Sequence, residues 1–67
     1  MKLLVNGNTV QIPERVGTIS DIMMHFNIKQ SVVIVEHNGE IIDSNIHPTR
    51  KVLDGDKIEI VQFVGGG

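Results

Sequence analysis

The chain opens with two short apolar runs separated by three residues that are neither apolar nor strand-forming. Lys2–Val5 and Thr9–Pro13 flank Asn6-Gly7-Asn8. Asn and Gly tolerate the positive φ of a tight hairpin, so the spacing predicts two short strands joined by a turn. Pro13 ends the second run or holds it at an edge. The period then changes. Ile19, Ile22, Met23 and Phe26 fall at i, i+3, i+4 and i+7, one face of a helix, while Met24 and His25 point elsewhere. Thr18 suits the N-cap, and Asp21 stands at the acidic position of a capping box, in the first turn where the helix dipole favours negative charge. The methionines read as core filling rather than a binding face.

Ser31–His37 is a continuous β-branched run, expected as a central strand. Asn38-Gly39 makes the next sharp turn and Glu40–Asp43 returns as a short strand. Ser44–Lys51 carries Pro48 and no clear period, so it reads as a loop with at most one helical turn. Asp54-Gly55-Asp56 is another turn, and Lys57–Val64 is the last strand. A calcium loop would need more spaced oxygen ligands than this turn supplies. Two strands, one helix and two or three further strands form an α+β pattern. The helix supplies a crossover, so the first and last strands can lie side by side in parallel. The expected architecture is a β-grasp: a mixed four- to five-stranded sheet wrapped around one main helix, its convex face open to solvent. The domain spans residues 1–64 and residues 65–67 form a flexible glycine tail.

Composition narrows the chemistry. Sixty-seven residues make one domain, and a chain of that size buries only about 60% of its unfolded surface, which leaves little room for an enclosed catalytic pocket. The absence of cysteine excludes disulfides, iron–sulfur ligation and thiolate metal sites. A net charge of −2 without Trp or Tyr argues against a nucleic-acid partner. The apolar start stops at Asn6-Gly7, short of a signal-peptide core, and no run approaches the ~20 residues of a membrane span. The expectation is a cytoplasmic protein, monomeric on its own. His25, His37 and His47 are expected to be separate and solvated rather than a shared metal site, and Glu40 and Asp43 read equally well as a carboxylate pair on a hairpin or as exposed edge charges. No glycine-rich loop joins a strand to a helix, so no phosphate cradle is present. The chain does not read as a self-contained enzyme, and no bound cofactor or metal is expected.

The last strand carries an oddity. Alternation puts Ile58, Ile60, Gln62 and Val64 on one face and Glu59, Val61 and Phe63 on the other. With Ile58 and Ile60 inward, Val61 and Phe63 point outward beside the terminal glycines. Leu4 and Ile34 join them if the strand register allows. A contiguous apolar patch on so small a domain marks a contact site, with Val64 and Gly65 leading from it into the tail. Four Cα steps from Phe63 to Gly67 reach at most ~15 Å. Without Cβ atoms the glycines can enter a channel too narrow for side chains, presenting the α-carboxylate of Gly67. A frayed end is the alternative reading of the same residues.

"VNG" at Val5–Gly7, "NGEI" at Asn38–Ile41, "LDGDKIEIV" at Leu53–Val61 and the closing "FVGGG" resemble the sulfur carriers of thiamine thiazole biosynthesis, the ThiS family. The resemblance covers essentially the whole chain. It implies a protein co-substrate rather than an enzyme. A ubiquitin-activating-type, ThiF-like adenylyltransferase would use ATP to adenylate the C-terminal carboxylate. A cysteine desulfurase relay would convert the adenylate to a thiocarboxylate, and ThiG-like thiazole synthase would receive the sulfur. The family motif falls on Gly66 and Gly67, with Gly67 as the modified residue and Gly65 as a spacer. The small subunit of molybdopterin synthase and ubiquitin-like protein modifiers share the fold and tail. A non-catalytic β-grasp binding module would have no need of a free Gly-Gly end.

Overall fold

Two tight turns give the sheet its outer pairs. In the computed structural model, which describes residues 1–62, Asn6 and Gly7 adopt φ of 48° and 83°, and Asn38 and Gly39 adopt 51° and 87°. Two successive positive φ values make the turn whose twist matches that of paired strands. The first turn joins β1 (Lys2–Val5) to β2 (Asn8–Gln11), and the second joins β3 (Val33–His37) to β4 (Glu40–Ile42), both antiparallel. The last described strand, β5 (Lys57–Gln62), lies between the two hairpins, parallel to β1 and antiparallel to β3. The order is β2-β1-β5-β3-β4. This is the β-grasp arrangement, with five strands.

The start of β3 differs from the sequence expectation. Ser31 and Val32 belong to a 3-10 turn, Gln30–Val32, rather than to β3. The Gln30 amide oxygen bonds the Ser20 hydroxyl (2.9 Å) and the His47 ring (3.1 Å), and the Val32 N–H donates to the Lys29 carbonyl, so the backbone is curled before it can extend. The expected strand end at Phe63-Val64, and the domain boundary before Gly65, lie outside the described residues.

The one α-helix among the described residues, α1 (Ile19–His25), starts as its capping box predicts. The Thr18 hydroxyl accepts from the Asp21 N–H at 3.1 Å, and the Asp21 carboxylate accepts from the N–H groups of Gly17 and Thr18. Such a cap contributes about 1 kcal/mol. Ile19, Ile22 and Met23 are completely buried against the sheet. Phe26 is not, which corrects the expected helical face. The helix ends at His25, and Phe26 is its C-cap, 37% exposed, its ring edge-on to that of His25 at 5.1 Å. Asn27 then adopts φ 58°, its N–H bonds the Met24 carbonyl, and the Ile28 N–H bonds the Met23 carbonyl. That is a Schellman closure, in which the residue after the left-handed one turns back onto the helix. Ile28, rather than Phe26, therefore closes the core at this end.

Leu3, Val35 and Ile58 supply the sheet side of the core, with Ile12, Val16 and Val52 filling its margins. A second correction concerns the histidines. His25 is exposed as expected, but His37 and His47 are buried, at 5% and 1% exposure. Each ring is held by polar partners, so neither needs water. Arg50 Nε donates to His37 Nδ1 at 3.0 Å, which leaves Nε2 to carry the hydrogen donated to Asp56 at 2.7 Å. The His47 ring lies against Gln30 and the Ile42 carbonyl. Among the described residues no cluster of His, Asp and Glu could hold a metal ion.

The Asp54–Asp56 turn does more than reverse the chain. Asp54 accepts from the Lys2 N–H at 2.6 Å, and the Gly55 N–H donates to the Lys2 carbonyl. Asp56 accepts from His37, from the Leu53 N–H at 2.8 Å and from the Asn38 amide at 3.1 Å. Burial alone pushes the Asp56 carboxyl up. Those hydrogen bonds, from His37, the Leu53 N–H and Asn38, outweigh it and hold the group below its ordinary value of 3.8.

Two outcomes follow from this packing. Ile22→Ala should cost about 2–5 kcal/mol, because it opens a cavity in a fully buried site, whereas Phe26→Ala should cost about 1 kcal/mol. Equal shifts in denaturation midpoint would place Phe26 back in the core. For Asp56, a lowered folded pKa means stability that is present above pH 3.8 and lost as the pH falls below it toward the folded value. Asp56→Asn should lower stability at neutral pH by about 1.5–3 kcal/mol, since it removes charged hydrogen bonds, and should flatten the acid limb of the midpoint-versus-pH curve. An acid limb unchanged by the substitution would assign it to other carboxylates.

Candidate docking site at the end of the last strand

Alternation along β5 sends Ile58 into the core and Val61 to the open face of the sheet. Ile58 is fully buried, Ile60 is half-buried against the core, and Val61 is 59% exposed. The antiparallel register makes Ile34 the direct partner of Val61, and Ile34 is 42% exposed. Two of the residues named from sequence are thus side by side. Leu4 shares their face but is half-buried at the far end, opposite Lys57. Four residues of strand, roughly 13 Å, separate its rung from that of Val61. Phe63, Val64, Gly65, Gly66 and Gly67 lie outside the described residues.

Sequence reasoning passed over three features of this region. Ile41 on β4 is 69% exposed, on the same face and paired with Glu36. Glu36 in turn pairs with Glu59, so Ile41 and two carboxylates form one row across the sheet, two residues along the strands from the Ile34–Val61 rung. Counting parity through "VIVEH" would have put Ile34 and Glu36 together, but pairing across strands depends on register, which parity does not fix. The third feature is on the opposite side of the sheet. Ile28, Val32, Val33 and Ile60, with Asn27, Lys29 and Gln62 at the rim, line a groove of about 520 Å³. It exists because the Schellman closure and the 3-10 turn carry the chain away from the end of β5. Gln62 belongs to its wall, so the last described rungs of β5 have apolar residues near them on both faces.

The end of β5 is held from one side by β3 and from the other by a single side chain. β1 stops at Val5, and the Asn6 amide then does the work of the missing strand residue. Its oxygen accepts from the Ile60 N–H at 2.7 Å, and its nitrogen donates to the Ile60 carbonyl at 3.2 Å. Glu40 and Asp43 are exposed, and each is structural: Glu40 pairs with Arg50 at 2.6 Å, and Asp43 caps the 3-10 turn Ser44–Ile46. No described helix is long and apolar enough to cross a membrane.

Comparison with known proteins places this geometry in context. The ThiS family model matches residues 3–67. The sulfur carrier protein ThiS of Bacillus subtilis is 42% identical over 65 residues, covering 97% of this chain and 98% of that protein. A thiazole synthase of Paramagnetospirillum magneticum is 36% identical over 67 residues, covering all of this chain but only 20% of that protein. The crystal structure of the thiamine biosynthesis protein ThiS from Geobacter metallireducens superposes with a TM-score of 0.85 at 30% identity, each chain covered completely. The solution structure of a thiamine biosynthesis protein from the same organism gives 0.80 at 30% identity, with 88% of that chain covered.

Asn6→Ala should remove both bonds to Ile60 and place a Cβ residue with no amide in a left-handed conformation. Two net hydrogen bonds are worth about 1–3 kcal/mol together. The specific readout is amide exchange: the Ile60 N–H should lose protection while the Ile58 N–H keeps it. Unchanged protection at Ile60 would show that β5 holds its end without Asn6.

Proposed function

The chain belongs to the ThiS family of sulfur carriers in thiamine biosynthesis, and we propose that Gly67 is its working end, adenylated and then converted to a thiocarboxylate. The observation that carries this reading is the end-to-end match to a sulfur carrier, through the terminal glycines, on a fold whose last strand ends at an apolar corner of the sheet. The protein is a co-substrate rather than a catalyst. An α-carboxylate, with a pKa of about 3.3–3.7, is anionic at neutral pH and resists nucleophilic attack. Attack of that carboxylate on the α-phosphate of ATP gives an acyl-adenylate and releases pyrophosphate. The adenylate carries AMP as a good leaving group. A persulfide sulfur from a cysteine desulfurase relay displaces AMP, and loss of the relay's S–S bond to a reductant leaves the thiocarboxylate. Thiazole synthase is the acceptor. The ATP belongs to a ThiF-like adenylyltransferase, and this chain holds no cofactor of its own.

The fold contributes presentation. β5 is anchored at its start by the Asp54–Asp56 turn and by β1, so Gln62 is a fixed point. Five Cα steps from Gln62 to Gly67 reach at most ~19 Å, enough to put the carboxylate in a partner's active site. Val61 and Ile34, with Phe63, Val64 and Gly65 beyond them, form the contact that holds the partner in place. Leu4 stands too far along the sheet to share that contact and would meet only a partner that spans the whole face. We place the protein in the cytoplasm, which supplies the ATP that adenylation needs.

The test is intact-mass and C-terminal peptide analysis after incubation with ATP, a sulfur source and the cognate adenylyltransferase. Full-length protein should exchange one terminal oxygen for sulfur. Deleting Gly67 leaves an acceptable glycine terminus but shortens the reach by up to ~3.6 Å, so the exchange should fall at least ~100-fold. An extended variant that supports thiazole formation as well as the full-length chain, with no sulfur ever gained by the latter, would overturn the assignment.

A further inference from the structure

We propose that the open sheet face docks thiazole synthase through a basic side chain of the enzyme that bridges Glu36 and Glu59, with apolar neighbours of that side chain resting on Ile34 and Val61. The inference rests on the reading of this face as the docking surface and adds the chemistry of what docks there. Glu36 and Glu59 are direct partners across the β3–β5 ladder, and both are half-buried. Like charges placed directly opposite each other weaken a strand pair. The six other Asp and Glu side chains are each engaged by a backbone N–H, a histidine, an arginine or the amino terminus. Among the described residues the Glu36 carboxylate has no hydrogen bond or ion pair, and that of Glu59 has only Lys57 Nζ at 4.0 Å, the outer limit of a pair. The chain therefore keeps two under-compensated acids together in the interior of its sheet, two residues along the ladder from the exposed Ile34–Val61 pair.

A partner supplies what the fold lacks. A guanidinium presents a planar fork of donors that can bond two carboxylates at once, and its weak hydration suits a site rimmed by aliphatic side chains. Desolvating such a contact strengthens it, which is why arginines flanked by apolar residues dominate many interfaces. Thiazole synthase is the occupant because a relative with that activity carries a counterpart of this entire chain within its own polypeptide.

The experiment titrates the full chain against its cognate thiazole synthase at low and moderate salt, alongside thermal unfolding. Glu36→Gln combined with Glu59→Gln should weaken binding by about tenfold or more and reduce its salt dependence. The unfolding midpoint should stay equal or rise, because a repulsion is removed. Unchanged affinity would overturn the proposal, and so would a lowered midpoint, which would assign the acids to the fold. Val61→Asp separates this inference from the reading beneath it. If Val61→Asp abolishes binding while the glutamine variant binds normally, the face docks but the acid pair does not. If neither variant weakens binding, the face itself is wrong. A loss seen only with the adenylyltransferase would assign the acid pair to that enzyme and overturn the present assignment.

Discussion

The parallel pairing of β1 with β5 is the contact on which the molecule depends. It joins residues more than fifty positions apart, and in the ladder it rests on only two rungs, Leu4 with Lys57 and Val5 with Ile58. So short a parallel ladder is weak by itself, since its bonds are slanted and its closure entropy is large. Side chains extend it at both ends. Asp54 and Gly55 grip Lys2 below it, and the Asn6 amide imitates one more strand residue above it. Without that reinforcement the two hairpins would share only α1, and the end of β5 would have no fixed position.

The same turn that secures β1 also secures the second hairpin. Asp56 reaches His37 and Asn38, and the Asn38 side chain accepts from the Lys57 N–H at 2.8 Å. While Asp54 ties this turn to β1, the Asp56 carboxylate ties the start of β5 to β3 and the turn after it. Its burial is costly, and the fold offsets that cost with several donors in fixed positions. Arg50 completes the arrangement by fixing the His37 tautomer from the other side while holding Glu40 on the edge strand. Partly buried polar groups with every partner present favour one register over its slipped neighbours.

Much of this was legible in the residues. The Asn-Gly turns and the capping box follow from local chemistry, because each depends on side chains close in sequence, and the parallel closure follows from the crossover that the helix supplies. The failures have one physical source. Phe26 fits the helical period, but Asn27 ends the helix in a left-handed turn and gives the buried place to Ile28. His37 and His47 look like ordinary solvated histidines until their partners arrive from Arg50, Asp56, Gln30 and Ile42, between 5 and 19 residues away. The pairing of Ile34 with Val61 depends on register, as does that of Glu36 with Glu59. The candidate site was therefore legible as a composition, an apolar strand end beside glycines, and not as a surface.

β5 is built unequally along its length, and that inequality suits a carrier. At its start the backbone is held by β1 and β3, and Asp56, Asn38 and the Asp54 turn leave few polar groups without partners. Beyond Ile60 only β3 remains beside it among the described residues, with Val61 exposed on one face and Gln62 at the rim of an apolar groove on the other. A strand fixed at both ends would place a following segment rigidly but leave no surface for a partner. A strand loose at both ends would offer the surface but lose the position of the segment. Anchoring at Lys57 with exposure at Val61 separates the two requirements over only four residues, about the least that alternation along one strand permits.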